Sequence, residues 1–260
     1  MATTLDEFEK VSCNIEGYFN LNHARIWDSM LNFQNQQKKE GFGNGFLEIG
    51  SLYGKSAAML AVHANENERV HLLDLGCRPP LVQNVEMLRR ETGAKIDLIK
   101  GYSLTTLFGD YSLKNEKRFR WIHIDGGHGE EVVFNDLECA NKLLSPRGVI
   151  VMDDFYNVAF PQITQVTYDF LRSHDRELSL ILTGFNKGYL IRPVARALYQ
   201  RYITDNLRKE AIEWGMEIRE GTHSCHPSFG IRHPPKGKAN PQIPGNNNRP
   251  SAFTGESQKP

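Results

Sequence analysis

"GFLEIGSLYGKSAAMLAVHANENERVHLLD", residues 45–74, decides the fold. GFLEI is a short apolar run, KSAAMLAVHA reads as a helix, and RVHLLD is a second apolar run. A strand, a helix and a strand in this order make a βαβ unit, whose strands are parallel and whose crossover is right-handed. Downstream the alternation continues. LVQNVEMLRRE is a helix, AKIDLIK a third strand, and a short helical stretch follows Tyr102. RWIHID is a fourth strand, EEVVFNDLECANKLL a helix, GVIVMD a fifth strand and PQITQVTYDFLRSH a helix. ELSLILTG and KGYLIRP complete the set as sixth and seventh strands. Near-continuous apolar strands belong to a parallel sheet covered on both faces. The expected fold is therefore α/β and Rossmann-like, a seven-stranded, mostly parallel sheet with helices on both faces. Only GFN separates the last two strands, so they form a hairpin. That makes the final strand antiparallel, at one end of the sheet.

Outside this core the chain divides further. Residues 1–44 form an N-terminal helical cap, its helix around HARIWDSMLNFQNQ, with Ile26, Met30 and Phe33 on one face. GFGNG then breaks the chain before the main domain, residues 45–192. A C-terminal helical extension spans 193–230, with the helix over 194–219. Residues 231–260 are rich in Pro, Gly and Asn and are expected to be a disordered tail.

Lys plus Arg and Asp plus Glu both total 31, so the formal net charge is zero. Such a balance gives no electrostatic case for nucleic acid or a membrane surface as partner. Cys13, Cys77, Cys139 and Cys225 form no CxxC pair, which argues against a zinc knuckle or a disulfide framework and for reduced thiols. The opening MATTLDEFEK is acidic and polar, unlike a signal peptide. No apolar run approaches the roughly 20 residues of a membrane helix. The expectation is a soluble, cytoplasmic protein.

In open parallel sheets, ligands lie beyond the carboxyl ends of the strands. There FLEIGSLYGKS joins the first strand to the first helix. Gly50 and Gly54 let backbone approach a ligand, and Ser56 lies in the first helical turn, where backbone N–H groups are free. Glu48 is awkward beside a pyrophosphate but suits a cation. It favours S-adenosylmethionine over a dinucleotide. Asp74 ends the second strand, where a carboxylate can accept both hydroxyls of a ribose. After the third strand, Gly101 permits close approach, and Tyr102 and Ser103 suit an adenine.

Strands four and five end on Asp125 and on Asp153, with Asp154 beside it. Like charges at one rim are costly unless one is protonated or a cation lies between them. Oxygen ligands suit Mg²⁺ or another divalent cation. Asp125, Asp153 and Asp154 are thus the expected metal ligands. His128, three residues after Asp125 in DGGH, is the candidate general base, with Asp125 as its catalytic companion. His123, inside the strand, reads as packed or paired. His223 and His226 beside Cys225 read as the start of a flexible tail.

Together these residues resemble a class I S-adenosylmethionine-dependent methyltransferase, nearest the catechol O-methyltransferase-like group with its small DGxH members and metal-dependent sugar O-methyltransferases. The resemblance covers residues 15–192 and makes 45–192 the methyltransferase domain. It implies that Glu48, Gly50, Ser51, Tyr53 and Ser56 line the methionine part of the cofactor. It also implies that Asp74 holds the ribose, that Ser103 meets the adenine, and that the three aspartates bind metal. His128 stands where catechol O-methyltransferase has a lysine base, and Asp154 where it has asparagine. IEGYF, residues 15–19, resembles a segment that folds over the cofactor.

The implied reaction is methylation of a small-molecule hydroxyl, catechol-like or sugar, assisted by a divalent metal. Other readings are a metal-independent methyltransferase, a nicotinamide-dependent oxidoreductase (which would want GxGxxG where this chain has GSLYGKS), and a non-catalytic S-adenosylmethionine-binding protein. Tyr18, Tyr156 and Phe160 are candidate walls for the acceptor. The amphipathic stretch 194–219 packs on the domain or on a second copy in a homodimer.

Overall fold

The computed structural model describes residues 3–37, 41–221 and 228–234. Two helices come first, α1 (Thr4–Ser12) and α2 (Leu21–Gln37). The first was not expected, yet its signal is in the sequence. Thr3 and Asp6 form a capping box: Thr3 Oγ1 accepts from the Asp6 N–H at 3.1 Å, and Asp6 Oδ2 accepts from the Thr3 N–H at 2.8 Å.

The alternating region follows the expected order: β1 (Gly45–Ile49), α3 (Lys55–His63), β2 (Arg69–Asp74), α4 (Pro79–Thr92), β3 (Lys95–Lys100) and the short α5 (Ser103–Thr106) and α6 (Asp110–Lys114). Next come β4 (Phe119–Ile124), α7 (Glu130–Leu143), β5 (Leu144–Met152), α8 (Pro161–Ser173), β6 (Ser179–Gly184) and β7 (Lys187–Ile191). The C-terminal part holds α9 (Arg196–Tyr202), a π-helical turn over Ile203–Leu207, α10 (Arg208–Glu213), β8 (Glu217–Glu220) and β9 (Phe229–Arg232). No helix among the described residues is long and apolar enough to cross a membrane.

One nine-stranded sheet runs in the order β3-β2-β1-β4-β5-β7-β6-β9-β8. Strands β1 to β5 pair in parallel, and β7 is antiparallel to both β5 and β6. The Rossmann-like α/β class is as expected, but β7 lies inside the sheet, not at its end. The region read as helix and tail also adds two strands. The helix expected to reach residue 219 stops at Glu213, and Gly215, at φ 74°, turns the chain into β8. Residues 231 and 232, assigned to the tail, close β9, which pairs in parallel with β6. The rest of the expected tail, and His223, Cys225 and His226, lie outside the described residues.

Successive strand residues face opposite sides, and here the parity is clean. Phe46, Trp121, Val149, Val151, Tyr189 and Ile191 pack under α1, α2, α3 and α9. Leu47, Ile122, Ile124, Ile150, Met152 and Leu190 pack under α7 and α8.

Candidate active site

Two cavities open at the carboxyl rim and share Leu52 and Asp125 as walls. The larger, about 290 Å³, is lined by Gly50 and by Asp74, Gly101, Tyr102 and Ser103, the last four being residues that the sequence assigns to an adenosine. The smaller, about 70 Å³, takes Ser51, Tyr53 and Ser56 from the first loop and helix, and Asp153 and Lys187 from the far side. Glu16 to Phe19 cover it, so the 15–19 segment does fold over the first loop.

Gly50 has to be glycine. Its φ is +85°, and an added Cβ would stand 2.0 Å from the carbonyl oxygen of Asp125. Gly54, at φ +86°, precedes α3 and turns the chain into it. At Gly101 a Cβ would meet Thr106 Oγ1 at 2.1 Å, which lets α5 fold back against the end of β3. Asp74 is a turn organiser as well as a cavity wall. Its Oδ1 accepts the N–H groups of Gly76 and Cys77, both at 2.8 Å, and its Oδ2 accepts that of Leu52 at 3.1 Å. A carboxylate has about four acceptor positions, so capacity is left for a ligand hydroxyl. Glu48 is fully buried, lines neither cavity, and its Oε1 accepts from His123 Nδ1 at 2.8 Å.

The acidic residues divide by face. Glu48, His123, Asp153 and Lys187 share the parity of the α2 side. There they form a line of contacts across β1, β4, β5 and β7. His123 Nε2 lies 3.5 Å from Asp153 Oδ2, and Lys187 Nζ lies 2.6 Å from the same oxygen. Burial alone would lower the His123 imidazole, but hydrogen bonding to Asp153 and Glu48 raises it to about 9. Burial would raise Asp153, but Lys187 and His123 outweigh it and hold that carboxyl well below the usual range. Asp125 goes the other way: burial, then the neighbouring Asp153 charge, push it well up.

Asp154 turns to the α7–α8 side. Its Oδ2 lies 3.2 Å from His128 Nε2, and its Oδ1 accepts from Asn157 Nδ2 at 2.7 Å. The His128 ring packs on Phe160, centroids 3.9 Å apart, and Gln162 Nε2 donates to its backbone oxygen at 2.9 Å. Among the described residues, two sets bring one donor atom each within 4.8 Å of one another: His123, Asp125 and Asp153, and Asp125, His128 and Asp154. Asp125 belongs to both sets, whereas Asp153 and Asp154 fall in different ones. These two residues lie in the turn after β5, Asp154 at φ 54°, and Asp153 already holds an ammonium.

Lys187 was missed in the sequence, although a lysine opening the fully buried strand KGYLI is itself a signal. Of the expected acceptor walls, Tyr18 is exposed at the mouth of the smaller cavity and Phe160 holds His128. Tyr156, at φ 70°, hydrogen-bonds through its hydroxyl to that of Tyr168 at 2.6 Å.

Residues 47–155, which contain every expected cofactor and acidic site residue, match the family model described as "Methyltransferase domain". The chain carries a methyltransferase domain. No curated protein matches the chain. Among solved structures, the domain is similar to an O-methyltransferase from Bacillus cereus in complex with S-adenosylhomocysteine, at 20% identity and TM-score 0.51, covering 73% of this chain and 90% of that one. It is similar also to CalS11, a TDP-rhamnose 3'-O-methyltransferase of calicheamicin biosynthesis, at 16% identity and TM-score 0.52, covering 72% and 92%. A third is MycE, a methyltransferase of mycinamycin biosynthesis in complex with Mg and S-adenosylhomocysteine, at 17% identity and TM-score 0.52, covering 74% and 55%. At such identities the likeness is one of fold.

The methyltransferase domain fits S-adenosylmethionine on its own geometry. Glu48 Oε2 and Ser51 Oγ are buried without hydrogen-bond partners. Orphaned buried acceptors are costly, and a cationic amino group or its water would satisfy them. Beside them the larger cavity supplies a carboxylate and a serine at the strand ends, as an adenosine requires. A divalent ion fits less well. Hard cations take oxygen donors, while each donor set here includes a histidine and Asp153 is already neutralised by Lys187.

Proposed function

We propose that this protein is an S-adenosylmethionine-dependent O-methyltransferase acting on the hydroxyl of a small molecule. The observation that carries the reading is the pair of cavities joined at Leu52 and Asp125, one shaped for an adenosine and the other polar and capped by residues 16–19. When bound, the cofactor supplies an electrophilic methyl group on a sulfonium, and the acceptor oxygen takes it up.

The chain's own residues do the rest. Asp74 holds the ribose while tying down Leu52, Gly76 and Cys77, so the loop over the cofactor is set before binding. Glu48, fully buried, acts through His123, which lines the smaller cavity. The 16–19 segment shields the transfer from water. His128 takes the acceptor's hydroxyl proton at Nδ1, while Asp154, 3.2 Å from Nε2, fixes the imidazole orientation and steadies the positive charge that develops. Alignment of the oxygen with the methyl, at roughly 3–3.5 Å, is the main source of rate.

The test is isothermal calorimetry with S-adenosylhomocysteine and NAD, followed by a coupled assay for S-adenosylhomocysteine release over a panel of catechols and sugar nucleotides. Micromolar binding of S-adenosylhomocysteine, no NAD binding and turnover with one acceptor class are expected. His128→Ala should lower turnover by about 100-fold or more while leaving cofactor binding unchanged. NAD binding without S-adenosylhomocysteine binding would reject the proposal.

A further inference from the structure

We infer that Lys187 is the resident cation of the acidic rim, standing where a divalent metal was expected, and that methyl transfer here runs without such a metal. The inference builds on the proposed methyl transfer. Its evidence is geometric.

Strand β7 runs antiparallel beside β5, with Met152 opposite Gly188. That register places the first residue of β7 next to the residue that follows β5, so Lys187 meets Asp153 by construction of the sheet. The contact is short, 2.6 Å from Nζ to Oδ2, and the lysine side chain is 2% exposed. Nζ also lies 5.9 Å from the ring centroids of Phe19 and of Trp27, whose faces attract a cation. A lysine is seldom buried so completely unless paired, and all its observed partners here suit a fixed positive charge. An Mg²⁺ on the same Asp153 oxygen, at its usual distance of about 2.1 Å, would stand within about 5 Å of the ammonium. The two cations would share one ligand atom and repel. Asp154, which would have to complete the ligand set, lies beside Asp153 at the rim, but its carboxylate is already engaged by His128 and by Asn157. Lys187 is thus a positioning residue. It neutralises Asp153 and keeps that carboxylate from competing with the acceptor oxygen for the sulfonium.

The test titrates MnCl₂ into the full-length protein with S-adenosylhomocysteine present, following free Mn²⁺ by electron paramagnetic resonance. Wild type is expected to show no site tighter than about 1 mM, far weaker than a dedicated divalent site. Lys187→Met should gain a site at least about tenfold tighter, which Asp153→Asn added to it removes. Lys187→Arg, which keeps the charge, should behave as wild type and covers the case in which the methionine variant does not fold. With an accepted substrate, wild-type turnover should be unchanged in EDTA. A stoichiometric Mn²⁺ site in wild type that Asp153→Asn abolishes, or loss of turnover in EDTA restored by Mg²⁺, would overturn the inference. The titration needs no acceptor, so it decides on Lys187 even if methyl transfer itself is not found.

Discussion

Gly50→Ala is the substitution whose cost the structure defines best. Three glycines with positive φ form an internal series. Gly93, at φ +72°, has nothing within 4 Å of an added Cβ, so Gly93→Ala reports backbone strain alone, about 1 kcal/mol. Gly54, at φ +86°, adds an ordinary contact with Leu81 Cδ1 at 3.4 Å, and Gly54→Ala should cost little more. Gly50 adds a collision between Cβ and the Asp125 oxygen at 2.0 Å and with the Asp125 carbonyl carbon at 2.5 Å. Relief requires the exits of β1 and β4 to part by more than an ångström. A backbone hydrogen bond holds them, Asp125 N–H to Ile49 O at 2.8 Å, and Gly50 N–H is tied on the other side to Leu73 O of β2 at 2.8 Å. Overpacking costs about 1–3 kcal/mol, and each weakened bond adds about 1 kcal/mol. With the strain, Gly50→Ala should destabilise by about 4 kcal/mol, a large share of an ordinary stability of about 5–15 kcal/mol. Urea denaturation followed by circular dichroism measures all three variants. Calorimetry with S-adenosylhomocysteine, below the transition, should show binding nearly intact in Gly93→Ala and lost in Gly50→Ala. If Gly50→Ala lies within about 1 kcal/mol of Gly93→Ala, the rim is not as closely built as described and the reasoning fails.

Three further outcomes are expected. Asp74→Ala should weaken S-adenosylhomocysteine binding by at least about tenfold, because a charged acceptor for the ribose and three loop tethers are lost together; calorimetry reads it directly. Asp136 is buried, and burial raises its carboxyl to about 6, with the nearby Ser103 hydroxyl offsetting part of the rise. The folded state therefore holds this proton more tightly than the unfolded one, so stability falls as pH rises from about 4 to about 6 and stays lower above. Asp136→Asn should raise the melting temperature at pH 8 and have little effect near pH 4, by thermal melts at both. Arg120 and Glu68 are both 4% exposed and paired, with Arg120 Nη2 3.0 Å from Glu68 Oε2. Glu68→Gln leaves a buried guanidinium short of its counter-charge and should cost about 3 kcal/mol or more in urea denaturation.

Much of the fold was legible because the signal is local. Apolar runs of strand length alternate with helical segments, and each boundary falls near a glycine, a proline or a charged residue. The capping pair Thr3 and Asp6 was equally local, yet α1 escaped because MATTLDEFEK was read for charge and not for caps. What was not legible is order in space. A two-residue connection makes β6 and β7 neighbours, but it does not say which of them meets β5. The structure inserts β7 between β5 and β6. Strands β8 and β9 are four residues each, shorter than the patterns that sequence periodicity resolves, and they exist because the edge of β6 offers a partner.

The candidate site repeats the lesson with charge in place of shape. The expected cofactor residues Gly50, Ser51, Ser56, Asp74 and Ser103 all line the two cavities. The aspartates were counted as one cluster because they share a rim. Val149 and Val151 face the α2 side, so Asp153 continues their series, whereas Asp154 lies in the following turn at φ 54° and meets His128. The lysine in KGYLI is visible in the sequence, but its pairing is not: Lys187 is more than 30 residues from Asp153 and meets it only through the β5–β7 register. A count of acidic residues at a rim therefore predicts a metal only after the cations that the sheet order brings there have been subtracted. In this protein β7 brings one to the strand end where Asp153 needed it.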